Sequence, residues 1–149
     1  MQELTYLKAV IKETLRLQPI TPLLVPRGTI RKCNIDRYEI PAKTLVYVNA
    51  WTIGRDLEGW KNLAKFYPER FIGSSIDYKG LDFELVLFGA GRRGCPRIHM
   101  GVSTLELALA NLLYKFDWEM PAVMNKEDFD VIPGMLKKNH ENQHRKDDI

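Results

Sequence analysis

Long apolar runs are missing from this chain: no window of about 20 residues is hydrophobic throughout, so none of it reads as a bilayer-spanning helix. Cysteine is scarce. Cys33 and Cys95, the only two, do not make a disulfide framework and point to a reducing compartment. A dominant charge is missing as well. The 22 basic and 19 acidic residues leave a net +3, and no Lys/Arg block forms a phosphate-binding stripe, so nucleic acid is not an expected partner. The N-terminus, with Glu3 and Lys8, lacks the basic-then-apolar layout of a signal peptide. Any membrane anchor is expected to lie outside this chain. What is present is 45% hydrophobic and 28% charged, the balance of a globular domain rather than a disordered one.

Leu4, Leu7, Ile11 and Leu15 recur at helical spacing and predict an amphipathic helix over residues 3–17, stopped by Pro19 and Pro22. From residue 23 to 49 the signal changes to short strands, at 23–25, 38–40 and 45–48, cut by prolines. Residues 50–82 read as short helical turns and loops. Their aromatics Trp51, Trp60, Phe66, Tyr67 and Phe71 are expected on the core. Residues 84–88 read as extended. Ile98, Val102, Leu105, Leu109, Leu112 and Phe116 then predict a long helix over 97–115. Leu107, Ala108 and Ala110 make its other face apolar too, so burial on more than one side is expected. Short extended pieces and a frayed polar tail over 137–149 complete the chain.

The loop from Phe88 to Gly101 carries the most information, and it supports two readings. Gly89, Gly91 and Gly94 satisfy G-x-G-x-x-G, the spacing of a dinucleotide-binding turn, and Asp117 stands where the ribose-binding acid would be. That reading needs further βαβ units and a helix that starts inside the glycine run, so that its N-terminus meets the pyrophosphate. Alternatively, Cys95 stands just before a helix whose free N–H groups and positive dipole end suit an anionic sulfur ligand. Pro96 suits a first helical position, and the glycines let backbone approach a flat ligand without Cβ clashes. A buried structural cysteine is the plain alternative. Zinc from Cys33, Cys95 and His99 lacks a fourth ligand and a recognised spacing.

Phe88, Gly91 and Cys95 stand at F-x-x-G-x-x-x-C, and the wider string FGAGRRGCP resembles the haem loop of cytochrome P-450 proteins, plant microsomal members above all. Two further strings accompany it in the family's order. Glu13 and Arg16 form E-x-x-R on the first helix; alone, such a pair reads as an exposed contact worth about 0.2–0.5 kcal/mol. Pro68-Glu69-Arg70-Phe71 forms P-E-R-F. YLKAVIKETLRL, VNAWTIGRD and DFELVLFGAGRR are similar to plant members nearly residue by residue.

The resemblance implies an α+β, mainly helical fold: helix, small β-sheet, coil meander, cysteine loop and long buried helix. Residues 1–139 would be the C-terminal haem-binding part of the domain and 140–149 a polar tail. It implies haem b with Cys95 as axial thiolate and Phe88 beside the sulfur. Gly91 belongs to the same loop. Arg27 and Arg93 would hold the propionates, and Glu13, Arg16 and Arg70 a buried charge network; His99 would not ligate. The implied activity is monooxygenation of a hydrophobic small molecule, with electrons from NADPH through a P-450 reductase. The implied location is the cytosolic face of the endoplasmic reticulum membrane, or the cytoplasm if the chain exists alone. Family members are much longer, so the chain by itself is expected to retain haem poorly and to be catalytically incomplete. A non-catalytic truncated protein that binds haem loosely or pairs with a partner remains an alternative. Four positions depart from the family pattern: Arg97 for Gly or Ala, Leu63 and Leu87 for prolines, and Arg37 for a turn glycine between Asp36 and Tyr38.

Overall fold

The structure, a computed structural model, describes residues 2–118. It divides into two compact units, Met1–Ile98 and His99–Ile149. Within the first unit, helix α1 spans Gln2–Leu17. Strands β1 (Arg27–Gly28), β2 (Cys33–Ile35), β3 (Tyr38–Ile40) and β4 (Leu45–Val46) follow, then a short helix α2 (Ala50–Ile53). The rest of the unit is coil punctuated by 3-10 turns at Pro68–Phe71, Phe83–Leu85 and Gly91–Arg93. Helix α3, Ile98–Lys115, belongs chiefly to the second unit. The expected tail and most of the extended pieces after Phe116 lie outside the described residues.

The strands form two separate antiparallel pairs. In one, Arg27 faces Val46 and Gly28 faces Leu45. In the other, Cys33, Asn34 and Ile35 face Ile40, Glu39 and Tyr38. Strand β2 was not expected, and the strand expected at 23–25 does not form. Leu24 takes a positive φ of 48° and its N–H closes a turn onto the Thr21 carbonyl at 3.1 Å. The chain therefore bends where an apolar triplet suggests extension, and the ladder starts after Pro26. Likewise residues 84–88 are not extended: Phe83–Leu85 is a 3-10 turn.

The core of the first unit is small and aromatic. Ala9, Trp60, Phe71 and Leu85 are buried together, with Leu63, Ile76, Tyr78 and Leu87 packed against them. Trp60 and Phe71 meet at 5.6 Å between ring centroids. Of the other aromatics expected here, Trp51, Phe66 and Tyr67 lie exposed. Helix α1 buries a face that its apolar pattern does not announce. Ile11 and Leu15 are buried, but so are Ala9, Glu13 and Arg16, roughly 200° around the helix from Ile11 to Glu13. It is this second face that meets the Pro68–Phe71 turn.

Helix α3 matches its expected span to within a residue, but not its expected burial. Val102 is its only buried residue, while Leu107, Leu113 and Tyr114 are exposed. No described helix is long and apolar enough to cross a membrane.

Candidate functional site

The cysteine loop is a tight backbone turn with little side-chain mass. Gly89 and Gly91 take positive φ values of 74° and 65°, a region glycine enters without a Cβ penalty. The Gly94 N–H returns to the Gly91 carbonyl at 3.0 Å, and the Cys95 N–H donates to the Phe88 carbonyl at 2.8 Å. Phe88 and Cys95 are thus the two ends of one closed loop, and the Cys95 thiol is free and exposed. The helix begins at Ile98, so Pro96 and Arg97 form a turn ahead of it. Pro96 is therefore not at the first helical position. The exposed Arg97 side chain shows that this turn accommodates a residue larger than Gly or Ala. No strand leads into the glycines, and the run itself forms a 3-10 turn. Both features count against a pyrophosphate cradle, which needs strand, glycines and helix in immediate succession.

A cavity of about 640 Å³ opens over this loop, a volume typical of small-molecule sites. Cys95, Phe88, Gly89, Gly94 and Arg93 line it from the loop side, and Arg27 with Leu24, Val25 and Ile30 from the other. Arg27 is set by the β1–β4 ladder, and its Nη2 donates to the Arg93 carbonyl at 3.2 Å. A Cβ on Gly89 would stand 3.4 Å from that same Nη2, so the glycine leaves room for the guanidinium. Two arginines, one exposed thiol and an apolar wall line the cavity, with no carboxylate among the described lining residues. Gly91 is not among the lining residues; it turns the loop.

Glu13 and Arg16 of α1 are brought together with Arg70 of the Pro68–Phe71 turn. Arg16 Nε and Nη2 donate to the two Glu13 carboxylate oxygens, each at 2.8 Å. Its Nη1 donates to the carbonyls of Gly54 at 2.5 Å and Leu63 at 3.0 Å. Arg70 Nε stands 3.2 Å from the Glu13 carboxylate, and the Tyr67 N–H donates to it at 2.9 Å. Both Glu13 and Arg16 are completely buried, so this is not the exposed pair that E-x-x-R alone would suggest. Trp60 lies 5.1 Å below the Arg16 guanidinium and 5.7 Å from that of Arg70, a cation–π arrangement on both.

Sequence reasoning missed several residues of this frame. A Cβ on Gly54 would collide with the Arg16 carbonyl at 2.7 Å, so the Arg16 pocket requires glycine there. Arg55 donates to the Leu17 carbonyl and stacks 4.1 Å over Trp51; burial, then the Arg16 charge, lowers its pKa from the usual value. Lys12 donates to the Ile76 carbonyl at 2.8 Å. A glycine directly after a short helix was the one available signal, as a helix C-cap. The Lys12 and Arg55 contacts are long-range and left no local pattern. Two departures from the family pattern are absorbed. The Leu87 N–H, which proline lacks, donates to the Leu85 carbonyl at 3.1 Å, and Leu63 packs against the core.

An exposed thiol in a largely apolar cavity that two arginines also line suits an anionic small molecule that a sulfur can ligate. The cytochrome P450 family model matches residues 1–145, and this chain belongs to that family. Among curated proteins, it is 57% identical over 131 residues to cytochrome P450 71A1 of Persea americana, covering 88% of this chain and 26% of that protein. Desmethyl-deoxy-podophyllotoxin synthase of Sinopodophyllum hexandrum is 56% identical over the same length. A zebra fish cytochrome P450 structure with abiraterone superposes with a TM-score of 0.69 at 29% identity, over 80% of this chain and 27% of that one. The chain thus spans about a quarter of the length of the curated relatives it matches. Haem iron with a cysteine thiolate is the general cofactor arrangement of this family. The donor set fits it: a free thiol, two arginines for two propionates, and no competing anion among the described lining residues.

Proposed function

We propose that this chain is the C-terminal haem-binding part, residues 1–139 with a polar tail, of a haem-dependent monooxygenase that inserts one oxygen atom of O2 into a hydrophobic small molecule. Bound haem supplies the dioxygen activation, helped by electron density from the sulfur. The chain's own residues provide the ligand and the cradle. Cys95 would hold the iron as a thiolate, from a loop closed by its own N–H on the Phe88 carbonyl. Phe88, half-buried beside it, shields the sulfur from water. Arg27 and Arg93 neutralise the propionates, each charge-assisted bond contributing about 1.5–3 kcal/mol. Glu13, Arg16 and Arg70 hold α1 against the coil and touch no ligand. Electrons come from NADPH through a P-450 reductase, and the whole protein sits on the cytosolic face of the endoplasmic reticulum membrane.

The single observation that carries this reading is the cavity shared by Cys95, Arg27 and Arg93. Haemin titration of the purified chain tests it. Cys95→Ala is expected to abolish the thiolate-type spectrum of the reduced, carbon-monoxide-bound form. Arg27→Ala is expected to keep that spectrum and weaken haemin binding roughly tenfold or more. An unchanged spectrum in Cys95→Ala would remove the sulfur from the site.

A further inference from the structure

The cysteine loop is held by its own backbone hydrogen bonds and, at the Arg93 carbonyl, by Arg27. Three of its residues are glycines, two at positive φ, and its thiol is exposed. A ligand loop must nevertheless present its sulfur at one depth, and such precision usually comes from residues behind the ligand. The segment 76–82 lies behind this one.

Lys12 of α1 anchors that segment. Its Nζ donates to the Ile76 carbonyl at 2.8 Å and stands 3.7 Å from the Asp77 carboxylate. It also lies 5.7 Å and 5.9 Å from the Phe71 and Tyr78 ring centroids. The segment is closed on itself: the Asp77 N–H donates to the Asp82 carboxylate and the Tyr78 N–H to the Asp77 carboxylate, both at 2.8 Å. Two of its residues then touch the loop. Tyr78 meets Phe88 edge-on, with centroids 6.0 Å apart and rings at 71°. Gly80, at a φ of +82°, lies so close that a Cβ would stand 2.8 Å from the Gly89 carbonyl oxygen and 3.2 Å from the Ala90 Cα. The residue that Tyr78 touches is the one whose carbonyl accepts the Cys95 N–H.

We propose that Tyr78 and Gly80, fastened to α1 by Lys12, are positioning residues for the cysteine loop: they set the place of Phe88 and Gly89 and, through the Phe88 carbonyl, the placement of the Cys95 sulfur. The consequence for haem rests on the haem-thiolate reading above. The mechanical part does not.

Two measurements separate them. Amide hydrogen exchange at Cys95, in the chain without haemin, reads the opening of the loop. Tyr78→Ala is expected to accelerate it roughly threefold to tenfold, the value of one lost aromatic pair, and Tyr78→Phe, which keeps the ring, to accelerate it less than Tyr78→Ala. Gly80→Ala is expected to act in the same direction as Tyr78→Ala. Exchange in the middle of α1 should not change in any of them. Haemin titration is the second measurement, with Tyr78→Ala losing affinity and thiolate-type spectrum and Tyr78→Phe keeping more of both than Tyr78→Ala. Unchanged Cys95 exchange in both Tyr78→Ala and Gly80→Ala would overturn the proposal. So would loss of α1 protection in Tyr78→Ala and the milder Tyr78→Leu alike, which would make Tyr78 a general fold residue. If wild type itself shows no thiolate-type spectrum, the haem reading fails while the exchange experiment still judges the brace.

Discussion

Glu13 is one buried anion shared by two guanidiniums and a backbone N–H. A pair of this kind stabilises little against an apolar replacement, but removing one partner strands the others in low dielectric. Glu13→Gln keeps the size and two acceptor lone pairs and deletes the charge, leaving Arg16 with no carboxylate at 2.8 Å. The expected loss is about 3–5 kcal/mol in chemical denaturation, a large share of the stability of a domain this size. If Glu13→Gln unfolds within about 1 kcal/mol of wild type, the charge is not what holds the network. The motif residues were legible in the sequence as types and spacings. Their burial was not, because E-x-x-R is compatible with solvent, and what encloses Glu13 and Arg16 comes from Gly54, Trp60, Leu63 and Tyr67, far along the chain.

Elements written by strong local chemistry were legible within a residue or two. Proline stops and a four-three apolar repeat mark α1 and α3, and Tyr38–Ile40 and Leu45–Val46 are strands as expected. Elements decided by backbone sign were not. Leu23–Val25 has the composition of a strand, yet the Leu24 φ of 48° turns it, and nothing in three apolar residues signals that. The β2–β3 hairpin makes the same point. An arginine in place of a turn glycine would be strained only at a positive φ, and here the positive φ belongs to Asp36, at 52°, a residue type that tolerates the left-handed region better than most. Arg37→Gly should therefore not relieve strain. It should lower stability by about 0.4–1 kcal/mol by freeing the unfolded chain. Asp36→Gly relieves a left-handed residue and offsets that loss, so it should be near neutral or stabilising. Thermal unfolding of the two variants decides the order; Arg37→Gly melting above Asp36→Gly would return the strain to residue 37.

The chain as a whole places its apolar surface unevenly. The first unit closes a compact core around Trp60, Phe71 and Leu85, whereas α3 keeps Met100, Leu107 and Tyr114 at 57%, 66% and 85% exposure. Seven-residue spacing puts those three on one stripe of the helix. The sequence pattern showed that α3 is apolar on two sides, and the inference from apolar to buried failed because burial depends on what stands opposite, which no periodicity encodes. A stripe of this kind in water favours association. The 149-residue chain is expected to sediment as a concentration-dependent mixture of monomer and larger species. Leu107→Gln with Tyr114→Ser should shift it toward monomer without lowering the melting temperature by more than a few degrees, since neither side chain is buried. A double variant that stays as associated as wild type would move the sticky surface elsewhere, with the exposed Ile30, Ile35 and Tyr38 around the β2–β3 hairpin next in line. The location of that surface matters to the cofactor test as well: Ile30 lines the cavity that holds Cys95, so association through the hairpin would compete with haemin. Haemin titration at two protein concentrations detects that competition, as an apparent affinity that weakens when the protein concentration is raised.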